Sequence, residues 1–250
     1  MIYEFGRDIV HCCKSIRHFF RAMFCKDYWV ETHGLYGDKA RIAYEMSKGQ
    51  KGIVTCGSRE SIQTVAFAEV CDILNIPCDI HIPKGKDTDS ILRLENTNCN
   101  IIREKVGYNN VLNAHARINA EEKGYKFIQL GMLCDEAYKL IGQNVDLIIP
   151  YLNNIKRIVI PVGSGTTLIG IVNELNKRNI DIPVVGIMCG MDATKNIKVY
   201  TQYNNIVLIP SDVNYHVAKN VEFYRIDLNP TYEAKCVQYL QDGDLFYIVA

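Results

Sequence analysis

The sequence contains no apolar run approaching the roughly 20 residues a membrane span requires. Its amino-terminal stretch MIYEFGRDIVHCCKSIRHFF is interrupted by Glu4, Arg7, Asp8, Lys14 and Arg17. Those charges argue against a secretion signal and for a folded helix in a cytoplasmic protein. Net charge is lacking too. Lysine plus arginine number 28 and aspartate plus glutamate 28, with no basic run, so capture of duplex nucleic acid by charge is unsupported. A nucleotide or short strand as substrate stays open. Ten cysteines are present, but none stand in CxxC spacing, and they lie scattered through apolar stretches. This pattern reads as reduced core thiols rather than a disulfide framework, no metal is expected, and the Cys12-Cys13 pair has no assigned role.

What is present is enough apolar material for a sizeable core. With 48% hydrophobic residues over 250, the chain suits one large domain or two small lobes. From Gly52 onward, short β-branched runs alternate with longer stretches of helical spacing. GIVTC, CDIHIP, NIIREK, KFIQL, RIVIPV and IPVVGIMC read as buried strands. SIQTVAFAEVCDILN and TTLIGIVNELNKRN read as helices, as do the stretches from Asn110 to Lys123 and from Asp135 to Leu152. The rhythm predicts an α/β fold: open, mostly parallel sheets with helices on both faces. A small lobe over 52–132, inserted in a large lobe formed by 1–51 and 133–250, is the expected division, with the boundary near Gly131 to Asp135. Ligands of such sheets sit outside the carboxyl ends of the strands.

Three strand-to-helix turns and one lysine carry chemistry. In IPVGSGTTLIGIV, a strand runs through Gly163, Ser164, Gly165, Thr166 and Thr167 into an apolar helix. Glycines permit the tight turn, and the helix-start N–H groups and hydroxyls suit a single phosphate. Walker A spacing is absent, and the third glycine of a dinucleotide fingerprint is replaced by Leu168. In TCGSRESIQTVAFAEV, the helix start offers Ser58, Ser61 and Gln63, which serve equally as caps or as ligand contacts. In DLNPTYEAKC, Asn229 is expected to cap, Pro230 to take the first helical position, and Glu233 to lie in the first turn. Lys39 opens a predicted helix in HGLYGDKARIAYEMSKGQ.

Taken in order, these segments resemble one family from Asp27 onward: the fold-type II, tryptophan-synthase-β-like pyridoxal-phosphate enzymes. The nearest branch is that of aminocyclopropane-carboxylate deaminase and D-cysteine desulfhydrase. Gly37-Asp38-Lys39 matches the G-N-K of the Schiff-base lysine, and Thr55 to Ser58 with Ser61 to Gln63 matches T-C-G-G-x-x-S-N-Q. Pro161 to Thr167 matches P-V-G-S-G-G-T, and Asn229 to Lys235 matches D-P-x-Y-E-G-K.

The resemblance implies pyridoxal 5'-phosphate as cofactor and a site between two lobes. It assigns Lys39 as the cofactor-bearing amine and proton carrier, and 163–167 as the phosphate loop. Glu233 would face the pyridine nitrogen, Tyr232 would act on substrate, and Ser58, Ser61 and Gln63 would meet substrate or cofactor. The implied reaction labilises a bond at the α-carbon of a small amino acid: deamination, decarboxylation or elimination. A non-catalytic cofactor-binding relative is the second reading, and a nucleotide-binding protein using 163–167 the third. GMLCDEAYKLIGQNV and YEAKCVQYLQDGDLFYIV also resemble compact bacteriophage relatives. That likeness would place the protein in a host cytoplasm and admit an amino acid attached to a modified pyrimidine of viral DNA as substrate. Fold-type II relatives are commonly dimers, so the resemblance admits a homodimer, and Phe19, Phe20, Met23 and Phe24 suit either such an interface or, more ordinarily, a core.

The sequence departs from the family pattern at several places. Ile62 stands where an asparagine is expected and donates nothing. Asp38 replaces an asparagine beside the lysine, Thr166 replaces a glycine, and the chain stops at DLFYIVA, short of the family's tail. These changes point to an altered substrate or altered cofactor electronics.

Overall fold

The computed structural model describes residues 28–31, 38–105, 108–190, 192–215, 217–223 and 228–249. The expected amino-terminal helix, Cys12, Cys13, Phe19, Phe20, Met23, Phe24 and Gly37 lie outside them. The described strands are β1 (Tyr28–Glu31), β2 (Ile53–Cys56), β3 (Cys78–Pro83), β4 (Asn100–Glu104), β5 (Lys126–Ile128), β6 (Arg157–Val162), β7 (Val184–Met188), β8 (Ile206–Pro210) and β9 (Asp244–Ile248). The described helices are α1 (Asp38–Ser47), α2 (Ile62–Leu74), α3 (Asp89–Glu95), α4 (Asn109–Lys123), α5 (Asp135–Gly142), α6 (Val145–Ile148), α7 (Thr166–Lys177), α8 (Thr194–Tyr200) and α9 (Glu233–Cys236).

The strands form two sheets, ordered β1-β9-β6-β7-β8 and β4-β3-β2-β5, and every pairing in both is parallel. Parallel neighbours need crossovers, which the intervening helices supply. Each sheet has one place where the strand order reverses: between β6 and β9 in the larger, between β2 and β5 in the smaller. Crevices at the carboxyl ends of such reversals are where open α/β sheets receive ligands.

Alternation along the strands explains why both faces are covered. Ile158, Ile160 and Val162 of β6 enter one core with Leu168 and Ile169, while Val159 enters a second with Phe246 and Cys236. On the smaller sheet Ile53 faces the main core, while Val54 and Cys56 pack beneath Leu112, Ala116 and Ala120 of α4. Side chains two residues apart share a face, so one strand feeds two layers. The described cysteines are free thiols, and Cys56, Cys71, Cys78, Cys189 and Cys236 are buried.

Local signals set the helix ends. Ser61 caps α2, and Asn75 ends it in the left-handed conformation at φ 52°, while Gly124 ends α4 at φ 65°. α5 and α7 meet through small residues: a Cβ on Gly170 would lie 2.7 Å from the Ile141 Cβ. The helix expected from Asp135 to Leu152 is instead α5, α6 and a 3-10 turn over Ile149–Tyr151. It breaks where Asn144 turns inward, donating to Tyr247 Oη at 2.7 Å, and Pro150 tightens the last turn. At the amino end of the larger sheet, Arg157 makes a two-pronged pair with Asp244, at 2.6 and 2.8 Å. The pairing raises the pKa of the arginine against the pull of partial burial.

Candidate active site

The turn after β6 lies at the reversal point of the larger sheet. Gly165 is the N-cap of α7, with φ 97°, and no side chain caps that helix. A residue with Cβ is strained at this φ, so glycine is required. The first N–H groups of α7 therefore lack the side-chain acceptor that a serine or aspartate cap would bring. Thr167 is half-buried at the second helical position. Ser164 and Thr166 are turned toward the segment after β5: the Ser164 hydroxyl donates to the Gly131 carbonyl at 3.1 Å, and Thr166 donates to the same oxygen. On its other side, the Ser164 carbonyl accepts from Asn196 at 3.2 Å.

The segment 229–236 comes to the same place. Asn229 does cap, but it caps a turn, its Oδ1 accepting from the Thr231 N–H at 2.9 Å. Pro230 lies in that turn, and α9 starts at Glu233, not before. The Tyr232 ring lies against Gly163: a Cβ on that glycine would stand 2.9 Å from Tyr232 Cε1. The Tyr232 ring also meets Tyr215 edge-on at 5.9 Å, and its hydroxyl donates to the Tyr215 oxygen at 3.5 Å. Burial, reinforced by Tyr215, pushes the Tyr232 phenol well above its ordinary value, so it keeps its proton near neutral pH. Glu233 is fully buried, and its Oε1 accepts from the Val249 N–H at 3.0 Å, just past β9. Lys235, also fully buried, donates to the carbonyls of Asn214 at 2.8 Å and Tyr215 at 3.1 Å. That lysine thereby holds the Tyr215 loop against α9, and burial lowers its pKa.

On the smaller sheet, the turn after β2 is arranged differently. Ser61 is the N-cap of α2, its hydroxyl accepting from the Thr64 N–H at 3.4 Å, while Ser58 is half-buried ahead of it. Ile62 opens α2 and packs against the main core. Gln63 is buried and bonds Thr55, Gln129 and Gly131 rather than pointing into open space. Cys56, beside this turn, is fully buried, and burial pushes its thiol up to about 12, which keeps it protonated near neutral pH. Lys39 is the second residue of α1 and half-buried. Its helix is fixed by Arg41, which donates to the Leu140 carbonyl at 2.6 Å and to Gln143 at 2.9 Å. A cavity of about 490 Å³ lies elsewhere, along β5 between Met46, Arg117, Phe127 and Met132.

A family model described as pyridoxal-phosphate dependent enzyme matches residues 34–222. The chain belongs to that family. Pyridoxal 5'-phosphate is accordingly its cofactor. Among curated proteins, none matches the sequence. Among solved structures, an ACC deaminase homologue is similar with a TM-score of 0.74 at 18% identity, over 90% of this chain and 84% of that one. The threonine deaminase of T.th. gives 0.68 at 14% identity, over 90% and 86%. Maize serine racemase gives 0.61 at 12%, over 90% and 82%. At these identities the likeness is one of fold: α/β, parallel-sheeted, fold-type II.

The residues of this pyridoxal-phosphate enzyme fit the cofactor. An α7 start with a glycine cap suits a phosphate, and two glycines let the chain close around that start: a Cβ on Gly163 would press on the Tyr232 ring, and a Cβ on Gly190 would approach the Gly163 Cα at 3.4 Å. Of the expected site residues, 163–167, Tyr232 and Glu233 gather at the carboxyl ends of β6 and β9. Ser58, Ser61 and Gln63 gather at β2, and Gln63 connects to the first group through Gly131. Sequence reasoning missed Tyr215, Lys235 and Gly131. Lys235 sits inside a segment already matched to the family. Tyr215 lies in a stretch without periodicity, where no local signal marks it, and Gly131 stands out only as the start of the expected lobe boundary.

Proposed function

We propose that the protein labilises a bond at the α-carbon of an amino acid, with Lys39 as the amine that carries the cofactor and moves the proton there. The observation that carries this reading is the meeting of Tyr232 with Gly163 while Glu233 is held at the end of β9. Bound pyridoxal phosphate supplies an electron sink for the α-carbon bond. The loop 163–167 grips its phosphate, the Glu233 carboxylate serves the ring nitrogen, and Tyr232, holding its proton, stands at the substrate side with Tyr215 as partner. Ser58 and Ser61 line the opposite wall, on the lobe we assign to 52–132. Deamination, decarboxylation and elimination all use this arrangement, and spectra with individual amino acids separate them.

A second reading, a cofactor-binding relative without turnover, draws support from Ile62. An alkyl group packed in the core stands where the family pattern places an amide donor. The test is direct. Protein mixed with pyridoxal phosphate should turn yellow, and borohydride followed by peptide mapping should find the label on Lys39. Label on another lysine overturns the assignment. Colour that no amino acid perturbs favours the second reading.

A further inference from the structure

Gln63 stands at the start of α2, where family resemblance suggests a contact to substrate or cofactor, yet its amide is occupied. Nε2 donates to Thr55 Oγ1 at 3.0 Å and to the Gln129 carbonyl at 3.0 Å, and Oε1 accepts from the Gly131 N–H at 2.8 Å. The partners fix which end is which. Thr55 gives its own proton to the Ile128 carbonyl at 3.0 Å, so its oxygen must accept from Gln63. Turning the amide over would set oxygen against the Gln129 carbonyl and N–H against N–H. Both donors are thereby spent, and only an acceptor lone pair remains. A carboxylate offers acceptors alone, so Gln63 has nothing with which to bind one.

What Gln63 grips is Gly131, at φ 77°, where a Cβ would lie 2.4 Å from the Ser164 Cβ. The Gly131 carbonyl accepts from this pair of hydroxyls, and Ser164 Oγ also stands 2.8 Å from Thr166 Oγ1, so both protons are spent within the cluster. Those hydroxyls are closed to an anion as donors, which leaves the Thr167 hydroxyl and the backbone N–H groups of the loop and α7. Their convergence depends on where Gly131 holds the loop. The connection Thr55–Gln63–Gly131–Ser164/Thr166 also joins the reversal points of the two sheets.

We propose that Gln63 is a positioning residue which sets the geometry of the 163–167 loop through Gly131, so that cofactor-phosphate affinity is governed from the smaller sheet. This rests on the reading of that loop as the phosphate site. The test compares wild type with Gln63→Leu in the full chain. Pyridoxal phosphate, titrated by visible absorbance, should bind about tenfold more weakly to the variant, the scale of one or two lost hydrogen bonds. The KM of a responding amino acid at saturating cofactor should stay within about twofold, because no substrate contact with a hydrogen bond's worth of energy has gone. Unchanged cofactor affinity with a raised KM would overturn the proposal.

Amide exchange of the cofactor-free proteins is a readout independent of any activity. Q63L should lose protection at Gly131 and across 163–167 together, and loss confined to the start of α2 counts against the strut. If the wild type itself binds no pyridoxal phosphate, the cofactor reading fails, while exchange still judges the connection. Should Q63L not fold, Gln63→Glu serves: it keeps the acceptor for Gly131 and regains a donor only when protonated. Its cofactor affinity relative to wild type should improve as pH falls, and a constant ratio is the contrary result.

Discussion

The turns after β2 and after β6 are built from the same parts: a buried strand, a glycine, small polar residues and an apolar helix. They differ at the helix cap. α2 begins under a serine whose hydroxyl accepts from the third N–H of the helix, whereas α7 begins under a left-handed glycine with no side chain to offer. A capped start is already satisfied, while an uncapped one keeps its donors for something from outside. The comparison teaches that a glycine-rich strand-to-helix turn is not by itself an anion site. What distinguishes the two is whether a neighbouring side chain has taken the place of the anion.

The largest effect that would test this difference is expected at Gly165. Gly165→Ala forces Cβ into the left-handed region, 3.2 Å from the Ile197 Cγ1. Stability should fall by about 1–2 kcal/mol, and cofactor binding should be lost in the same titration. Retained affinity would mean that the α7 start is not the phosphate site. The counterpart, Ser61→Ala, should cost about 1 kcal/mol or less in a denaturant melt, since the 3.4 Å cap is long, while cofactor affinity stays put. A Ser61 variant that keeps its stability but loses cofactor affinity would erase the contrast between the turns.

The smallest effect concerns the scaffold behind the β2 turn. Asp79 is buried, which alone would raise its pKa, but Lys123, Asn119 and Asn100 bond its carboxylate and hold it below the ordinary value. Glu104 behaves alike: partial burial is outweighed by His81 at 2.9 Å and His115 at 3.2 Å. A depressed folded-state pKa stabilises above the unfolded carboxylate value, about 3.9–4.3, and that stability drains away as pH falls through the folded value. The melting-temperature gap between wild type and Asp79→Asn should therefore be widest near neutrality and close on acidification. A gap independent of pH would show that the network acts through shape rather than charge.

Much of this architecture was legible in the sequence because parallel strands are buried on both faces and read as short β-branched runs. RIVIPV and CDIHIP became β6 and β3 without adjustment. The glycine loop was legible too, since its conformation depends on residues adjacent in the chain. The break between α5 and α6 was not, because what stops the helix is Asn144 reaching Tyr247, a residue of a distant strand. Nor was the real employment of Gln63 visible. Its neighbours in sequence present it as a ligand contact, and only the return of the chain at Gly131 shows where its amide is used. Tyr215 reaches Tyr232 by the same kind of long-range closure, from a stretch without regular structure.

β9 lies inside its sheet, flanked by β1 and β6, so the first described strand has no sheet neighbour except the last described one. On the ribosome, β1 must wait with bare edges while the rest of the larger sheet is translated, and the Glu233 carboxylate meets its amide partner only when that gap is filled. Completion of the larger sheet, and with it the burial of Glu233 against the end of β9, is thus a late event of folding.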